Sequence, residues 1–136
     1  MSKAVRFALI LIGTHAAIAA LHGTAHRVLN IELSRSQLLF IAAVILIAPL
    51  LAGALLLKQA VSSGAILLTL SMAGSLVFGL YNHFILIGPD HVFHLPGIPG
   101  SLWVTAFQVT AALLALSEAV GVVAGLLVLR RDFASS

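Results

Sequence analysis

The chain has 136 residues, of which 61% are hydrophobic and 8% charged, and it carries a formal net charge of +3. Soluble domains are about 45–50% apolar and about 25% charged, so this composition excludes an ordinary soluble domain and predicts an all-α integral membrane protein. The seven Lys and Arg residues are scattered, which argues against nucleic-acid binding. The absence of cysteine excludes disulfides, thiolate metal sites and iron–sulfur clusters.

Four apolar segments, each long enough to cross a bilayer, follow one another along the chain at residues 5–26, 38–57, 64–87 and 102–129. Residues 1–136 are therefore predicted to form a single transmembrane four-helix domain. The connections at 31–37 and 58–63 are short, which predicts an antiparallel bundle, and Pro49 should kink the second span. The one long loop, residues 88–101, has three Pro and three Gly and should form an ordered, non-helical outer cap.

The basic residues indicate an orientation in the membrane. Five of the seven fall at one end of the predicted bundle and two at the other, namely Lys3, Arg6, Lys58, Arg130 and Arg131 against Arg27 and Arg35. The positive-inside rule then places both termini in the cytoplasm, and we expect a bacterial inner membrane. The first span also resembles a cleavable signal peptide, but cleavage would leave three spans and discard His15, so we expect it to be retained.

Six histidines stand out in so apolar a chain. On a helix, the spacings of seven and four place His15, His22 and His26 on one stripe, which should face protein, water or a ligand rather than lipid. At about 1.5 Å per residue, His22, His26, His83 and Gln108 lie roughly 25–31 Å from the cytoplasmic surface. His15 and Glu118 lie roughly 15–16 Å from it, near mid-membrane.

The polar residues near the outer face of the membrane are predicted to bind a transition-metal ion, because imidazole is the commonest protein ligand for such ions. His22 and His26, four residues apart, form a helical chelating pair, and His83 is the third principal ligand. Asp90 and His91 of the loop are predicted as further ligands, Gln108 is a secondary member of the site, and His94 is interpreted as an interfacial imidazole. Copper, zinc or iron would serve redox chemistry or metal handling, although no family-specific ligand motif is present.

Glu118 is the most costly residue to place near the middle of a membrane. We predict that it forms a catalytic, proton-handling pair with His15. The alternative is a protonated carboxyl that joins helices through a hydrogen bond to His15, Ser117 or Thr110.

Other functions stay open on the sequence alone, including whether the protein is an enzyme. Haem b could be ligated by His22 or His26 with His83, although the paired histidine spacing of transmembrane cytochromes is absent. The same histidines could form a proton relay. A non-enzymatic accessory or scaffold subunit, or a homo-oligomer, is favoured by ladders of small residues at Ser71, Ser75 and Gly79 and at Gly121 and Gly125. No serine-hydrolase triad order, phosphate loop or dinucleotide fingerprint occurs.

Overall fold

The computed structural model describes residues 1–133, with side chains as far as Arg131. Within this part of the chain, four helices are long and apolar enough to cross a membrane. They are α1 (Lys3–Val28), α2 (Arg35–Leu57), α3 (Val61–Ile85) and α4 (Leu102–Phe133). Residues 1–133 contain no strand. The prediction of an all-helical protein with four long apolar helices is therefore confirmed.

Polar side chains mark where these helices begin and end. Ser2 caps α1 by accepting a hydrogen bond from the Val5 amide, and Ser34 and Gln37 form a reciprocal capping box at the start of α2. The chain leaves α1 through Asn30, whose positive φ of 52° suits its short polar side chain. Gln59 adopts a similar left-handed conformation after α2, with φ of 63°. Both connections can therefore reverse the chain within a few residues.

The middle of α2 departs from α-helical geometry close to Pro49. Residues Ile41–Ile47 form a π-helical segment, so the distortion predicted at the proline takes this form. Proline has no N–H, and in an α-helical register the Ile45 carbonyl would lose its hydrogen-bond donor at position 49. Nε2 of His15 lies 3.2 Å from this carbonyl and donates to it. The carbonyl that the proline leaves without its helical donor thus accepts a hydrogen bond from the His15 imidazole of α1.

Small residues let α3 and α4 approach closely. The Met72 side chain lies against Gly121, and Thr69 and the Ala65 carbonyl lie against Gly125. Ser71 and Ser75 of α3 are also buried, and their hydroxyls donate hydrogen bonds to backbone carbonyls of α3. The two small-residue ladders predicted from the sequence are therefore used inside this chain.

We expect Gly125→Ala to lower the free energy of unfolding by about 1–3 kcal/mol, since the new methyl group would overpack a closed interface. A Cβ at this position would lie 3.0 Å from the backbone carbonyl oxygen of Ala65, which cannot rotate away. Thermal unfolding in detergent micelles measures the effect. Gly13→Ala is the matched control, because a Cβ there meets no atom within 4 Å. Equal melting temperatures for the two variants would contradict the prediction.

The long loop after α3 folds over one end of the bundle. Val92 is buried against Ala25, Phe107 and Ala111 in an apolar cluster. Its amide donates to the His83 carbonyl at 3.0 Å, and its own carbonyl accepts from Gln108 Nε2 at 2.8 Å. These two bonds attach the loop at residue 92 to α3 and to α4.

Candidate metal centre

Three buried histidines meet beneath this loop. His22 and His26 project from one face of α1, and His83 comes from α3, where residues Tyr81–Ile85 form a π-helical turn. Each imidazole offers one ligand nitrogen, and the three nitrogens lie within 4.8 Å of one another. Nε2 of His22 lies 3.3 Å from Nε2 of His83. The structure therefore brings together the three residues that the sequence predicts as principal ligands.

The Phe107 ring of α4 packs against all three imidazoles of the triad that His22, His26 and His83 form. It is fully buried, and its ring centroid lies 4.5, 4.9 and 5.4 Å from those of His22, His26 and His83. Such contacts fill the space beside the rings with apolar surface and hold their orientations. The polar nitrogens must then find partners within the site.

The hydrogen bonds of His22 identify which of its nitrogens carries the proton. The Thr110 hydroxyl donates to the Ala106 carbonyl at 2.6 Å, which uses its only proton. Thr110 Oγ1 must therefore accept from Nδ1 of His22, at 2.9 Å. A neutral imidazole has one N–H and one lone pair, so Nε2 of His22 presents a lone pair toward His83.

The oxygens of Asp90 likewise indicate which nitrogen of His83 carries the proton. The backbone carbonyl of Asp90 lies 3.1 Å from Nδ1 of His83, and its carboxylate Oδ1 lies 3.2 Å from the same nitrogen. Neither oxygen has a proton to give when the carboxyl is ionised, so Nδ1 is the donor. Nε2 of His83 then also presents a lone pair, and it faces that of His22.

The third imidazole makes an ion-pair contact instead of a hydrogen bond, since Oδ1 of Asp90 has no hydrogen-bond partner among the described residues. Nε2 of His26 lies 3.2 Å from Oδ1 of Asp90, at ion-pair distance. Its other nitrogen, Nδ1, is buried and has no hydrogen-bond partner in the part of the chain that the structure describes. Asp90 thus contacts one nitrogen on each of two imidazoles and leaves the other nitrogen of each ring available. Asp90, which the sequence predicts as a ligand, lies at ion-pair distance from these two nitrogens and is not in the group of three that can hold an ion.

These separations suit a small cation. Two lone pairs that face each other at 3.3 Å repel unless a positive charge lies between them. An ion bound tetrahedrally at about 2.0–2.1 Å from each nitrogen separates two ligand nitrogens by about 3.3–3.4 Å. The His22–His83 spacing already equals this value, and the ligand nitrogen of His26 lies within 4.8 Å of both.

A cavity of about 350 Å³ adjoins the triad. Its walls are mostly apolar, and its polar lining includes all three histidines, Asp90 and Glu118. Glu118 is only 2% exposed, and its carboxyl has no hydrogen-bond partner among the described residues. A Cβ added at Gly79 would lie 3.7 Å from Oε2 of Glu118 and 3.9 Å from Cδ2 of His83. The carboxyl and the triad are therefore neighbours across Gly79.

His15 lies apart from this group. Its Nε2 bonds the Ile45 carbonyl, and its Nδ1 lies 3.2 Å from the Ser117 hydroxyl. Both ring nitrogens have partners within the bundle, and neither partner is Glu118. The structure thus places the two members of the predicted proton-handling pair in different surroundings.

His91 and His94 pair with each other in the loop. Their Nδ1 atoms are 2.9 Å apart, and Nδ1 of His91 also accepts from the Phe93 amide at 3.2 Å. His91 therefore uses its Nδ1 locally and is not a member of the group of three that can hold an ion. His94 belongs to the loop, as its interfacial interpretation expects.

Several features of the site have no clear signal in the sequence. One is the π-helical turn that carries His83. The packing of the Phe107 ring against His22 and the contact of Thr110 with His22 depend on contacts between distant segments. Gln37 and Asn82, whose side chains bond at 3.1 Å, join α2 to α3 beside the site. A polar residue at an apolar helix position, such as Thr110, is the one hint that the sequence contains.

Comparison with protein families, with curated proteins and with solved structures finds no match to this chain.

Proposed function

We propose that this chain is an integral membrane protein that binds one first-row transition-metal ion between His22, His26 and His83. The observation that carries the proposal is the group of three buried histidines whose ligand nitrogens lie within 4.8 Å of one another, with Nε2 of His22 and Nε2 of His83 only 3.3 Å apart. Each remaining ring nitrogen donates to, or lies at ion-pair distance from, an oxygen acceptor. An arrangement of this kind selects the ligand tautomer in metal sites.

Insertion in a membrane is supported by the distribution of polarity. Large apolar side chains more than half exposed cover the outside of all four helices, among them Ile10, Leu39, Leu51, Leu70, Val77 and Leu116. The buried interior instead holds histidines, serines and a carboxyl. Soluble proteins rarely expose apolar patches of this extent, whereas lipid accepts them.

An antiparallel bundle with cytoplasmic termini belongs to the same proposal. His15 of α1 contacts Ser117 of α4, and His22, further along α1, contacts Thr110, earlier in α4. A small hollow lined by Ser2, Gln59 and Arg131 supports placing both termini and the 58–63 connection at one end.

We expect Ser36→Cys to react with a membrane-impermeant maleimide in intact cells, and Ser63→Cys to react only after the cells are permeabilised. The chain has no native cysteine, so each label reports a single site. The physical reason is the excess of basic residues at the end that carries residue 63. The reverse labelling pattern would contradict the orientation.

The donor set favours zinc, copper or iron. Neutral imidazoles suit these ions, and a spacing near 3.3 Å suits tetrahedral coordination at an open site with three protein ligands. Haem is disfavoured, since the His22 and His83 rings are in direct contact and leave no slot for a macrocycle between them. Metal sites with an open position typically act on a bound molecule or pass the ion on.

Glu118 takes the role of acid–base group beside the ion, because its carboxyl lines the same cavity and bonds to none of the described residues. His15 takes a positioning role, as both its nitrogens join helices. This revises the predicted His15–Glu118 pair into one proton-handling group and one structural imidazole.

Elemental analysis of the purified protein, combined with calorimetric titration of the metal-stripped form, tests the proposal. We expect one ion per chain and an affinity that falls as the pH falls, because protons compete for the imidazole lone pairs. An optical spectrum excludes or reveals haem. A protein that binds neither zinc, copper nor iron would refute the metal centre. The facing lone pairs would then indicate a shared proton, as in a proton relay.

A further inference from the structure

We propose that the cavity beside the triad binds a lipid-soluble alcohol or phenol, which enters sideways between α1 and α2 and places its hydroxyl between Glu118 and the metal site. This inference deepens the proposed function, since it rests on the chain lying in a membrane with an ion at the triad.

The cavity opens on the flank of the bundle. Its lining on α1 follows one helical stripe through Ala19, Gly23 and Arg27, and on α2 it begins at Leu38. Gly23 and Arg27 are exposed, and Leu38 is 53% exposed, so these residues form the rim of an opening. A Cβ added at Gly23 would meet no atom within 4 Å, which leaves space between the two helices.

Contacts between the helices close the cavity toward both ends of the bundle. Toward the termini, α1 packs on α2 at Gly53 against Ile12, and the His15–Ile45 hydrogen bond joins the helices just below the cavity. At the opposite end, Ile31 and Val92 are buried beneath the loop. A ligand therefore reaches the cavity from the side, which in a bilayer is occupied by lipid.

The walls define the body of the ligand. Ile41, Ile45, Leu46 and Leu114 line the cavity, and a volume of about 350 Å³ falls within the range of small-molecule sites. Apolar cavities do not retain water well, so an apolar chain or ring is the natural occupant of this portion.

Glu118 defines the polar group of the ligand. Glu118 is only 2% exposed, no described residue shares a hydrogen bond with its carboxyl, and the cavity is the space that this residue lines. A carboxyl in such a place is costly unless a molecule in the cavity bonds to it. A hydroxyl can donate to a carboxylate and can accept from a carboxylic acid, so it satisfies Glu118 in either protonation state. Its oxygen can also occupy the open position of an ion at the triad.

Photolabelling with a long-chain primary alcohol that carries a diazirine tests the proposal, with the metal-loaded protein in nanodiscs and mass-spectrometric mapping of the labelled residues. We expect labels on cavity residues such as Leu38, Ile41 and Leu114, with suppression by excess 1-decanol. A diazirine alkane without the hydroxyl should label these residues at least about tenfold less, as expected when a buried polar group is left unpaired.

Two glycine variants on α1 form a matched pair. Gly23→Leu should block the opening and reduce cavity labelling about tenfold or more, while the metal content stays unchanged. Gly13→Leu, also exposed and also free of neighbours within 4 Å, should leave both measurements unchanged. Gly79→Ala provides an internal block, since its methyl would lie in ordinary contact with Glu118 and His83.

The outcomes separate this inference from the metal proposal. Equal labelling by the alcohol and the alkane, or undiminished labelling of both Gly23→Leu and Gly79→Ala, overturns the ligand assignment even if the ion is present. Protein without metal that still shows selective, blockable alcohol labelling supports the ligand site and refutes the metal centre.

Discussion

Replacing His83 by alanine should weaken metal binding by more than about 100-fold. Removing a residue that only hydrogen-bonds to a metal ligand already lowers the affinity by about 10–100-fold, and His83 would be a ligand itself. His83 contributes a nitrogen that lies 3.3 Å from Nε2 of His22. With His83 removed, His22 and His26 remain as a two-ligand site that lacks the bridge to α3. Calorimetric titration of the metal-stripped protein gives the affinity ratio, and His22→Ala should show a loss of similar size.

His94→Ala is the matched control for this experiment. It removes an imidazole from the same end of the molecule, but His94 contacts His91 and not the triad. We expect an unchanged affinity and stoichiometry. If His94→Ala and His83→Ala weakened binding equally, the ion would be held by the loop or by nonspecific imidazoles, and the assignment of the triad would be wrong.

Replacing Asp90 by asparagine should weaken metal binding by about 10–100-fold, without changing the number of ions bound. The carboxylate lies 3.2 Å from one nitrogen of His26 and 3.2 Å from one of His83. It therefore orients both rings, and its negative charge offsets part of the charge of the ion. An amide keeps the size of the side chain and removes the charge, so the loss reports the electrostatic role of Asp90.

Glu32→Gln controls for the general effect of removing a negative charge. Glu32 is exposed in the connection between α1 and α2, and the affinity of this variant should stay within about twofold of the parent, since exposed charges are screened. Titration of both variants at the same ionic strength makes the comparison. A full loss of binding in Asp90→Asn, comparable to that of His83→Ala, would indicate that Asp90 is itself a ligand, as the sequence alone predicts.

Local patterns in the sequence account for most of the fold. The apolar segments predict four long helices, because about 20 consecutive apolar residues have few other stable conformations in a membrane. Their predicted bounds differ from the helix ends by a few residues, where caps such as Ser34 with Gln37 decide the first turn. The stripe of His22 and His26 on α1 also follows from helical periodicity alone.

Contacts between distant segments decided the chemistry of the site. The sequence could align His22 with His26, but the folded chain adds Thr110 from α4 and Asp90 from the loop, whose oxygens face one nitrogen of each of the three rings. It also gives His15 the partners Ile45 and Ser117, and it puts Glu118 in the lining of the cavity that His83 lines, across Gly79. Depth along a helix follows from residue number, whereas the direction of a side chain and its partners depends on how the helices pack against one another.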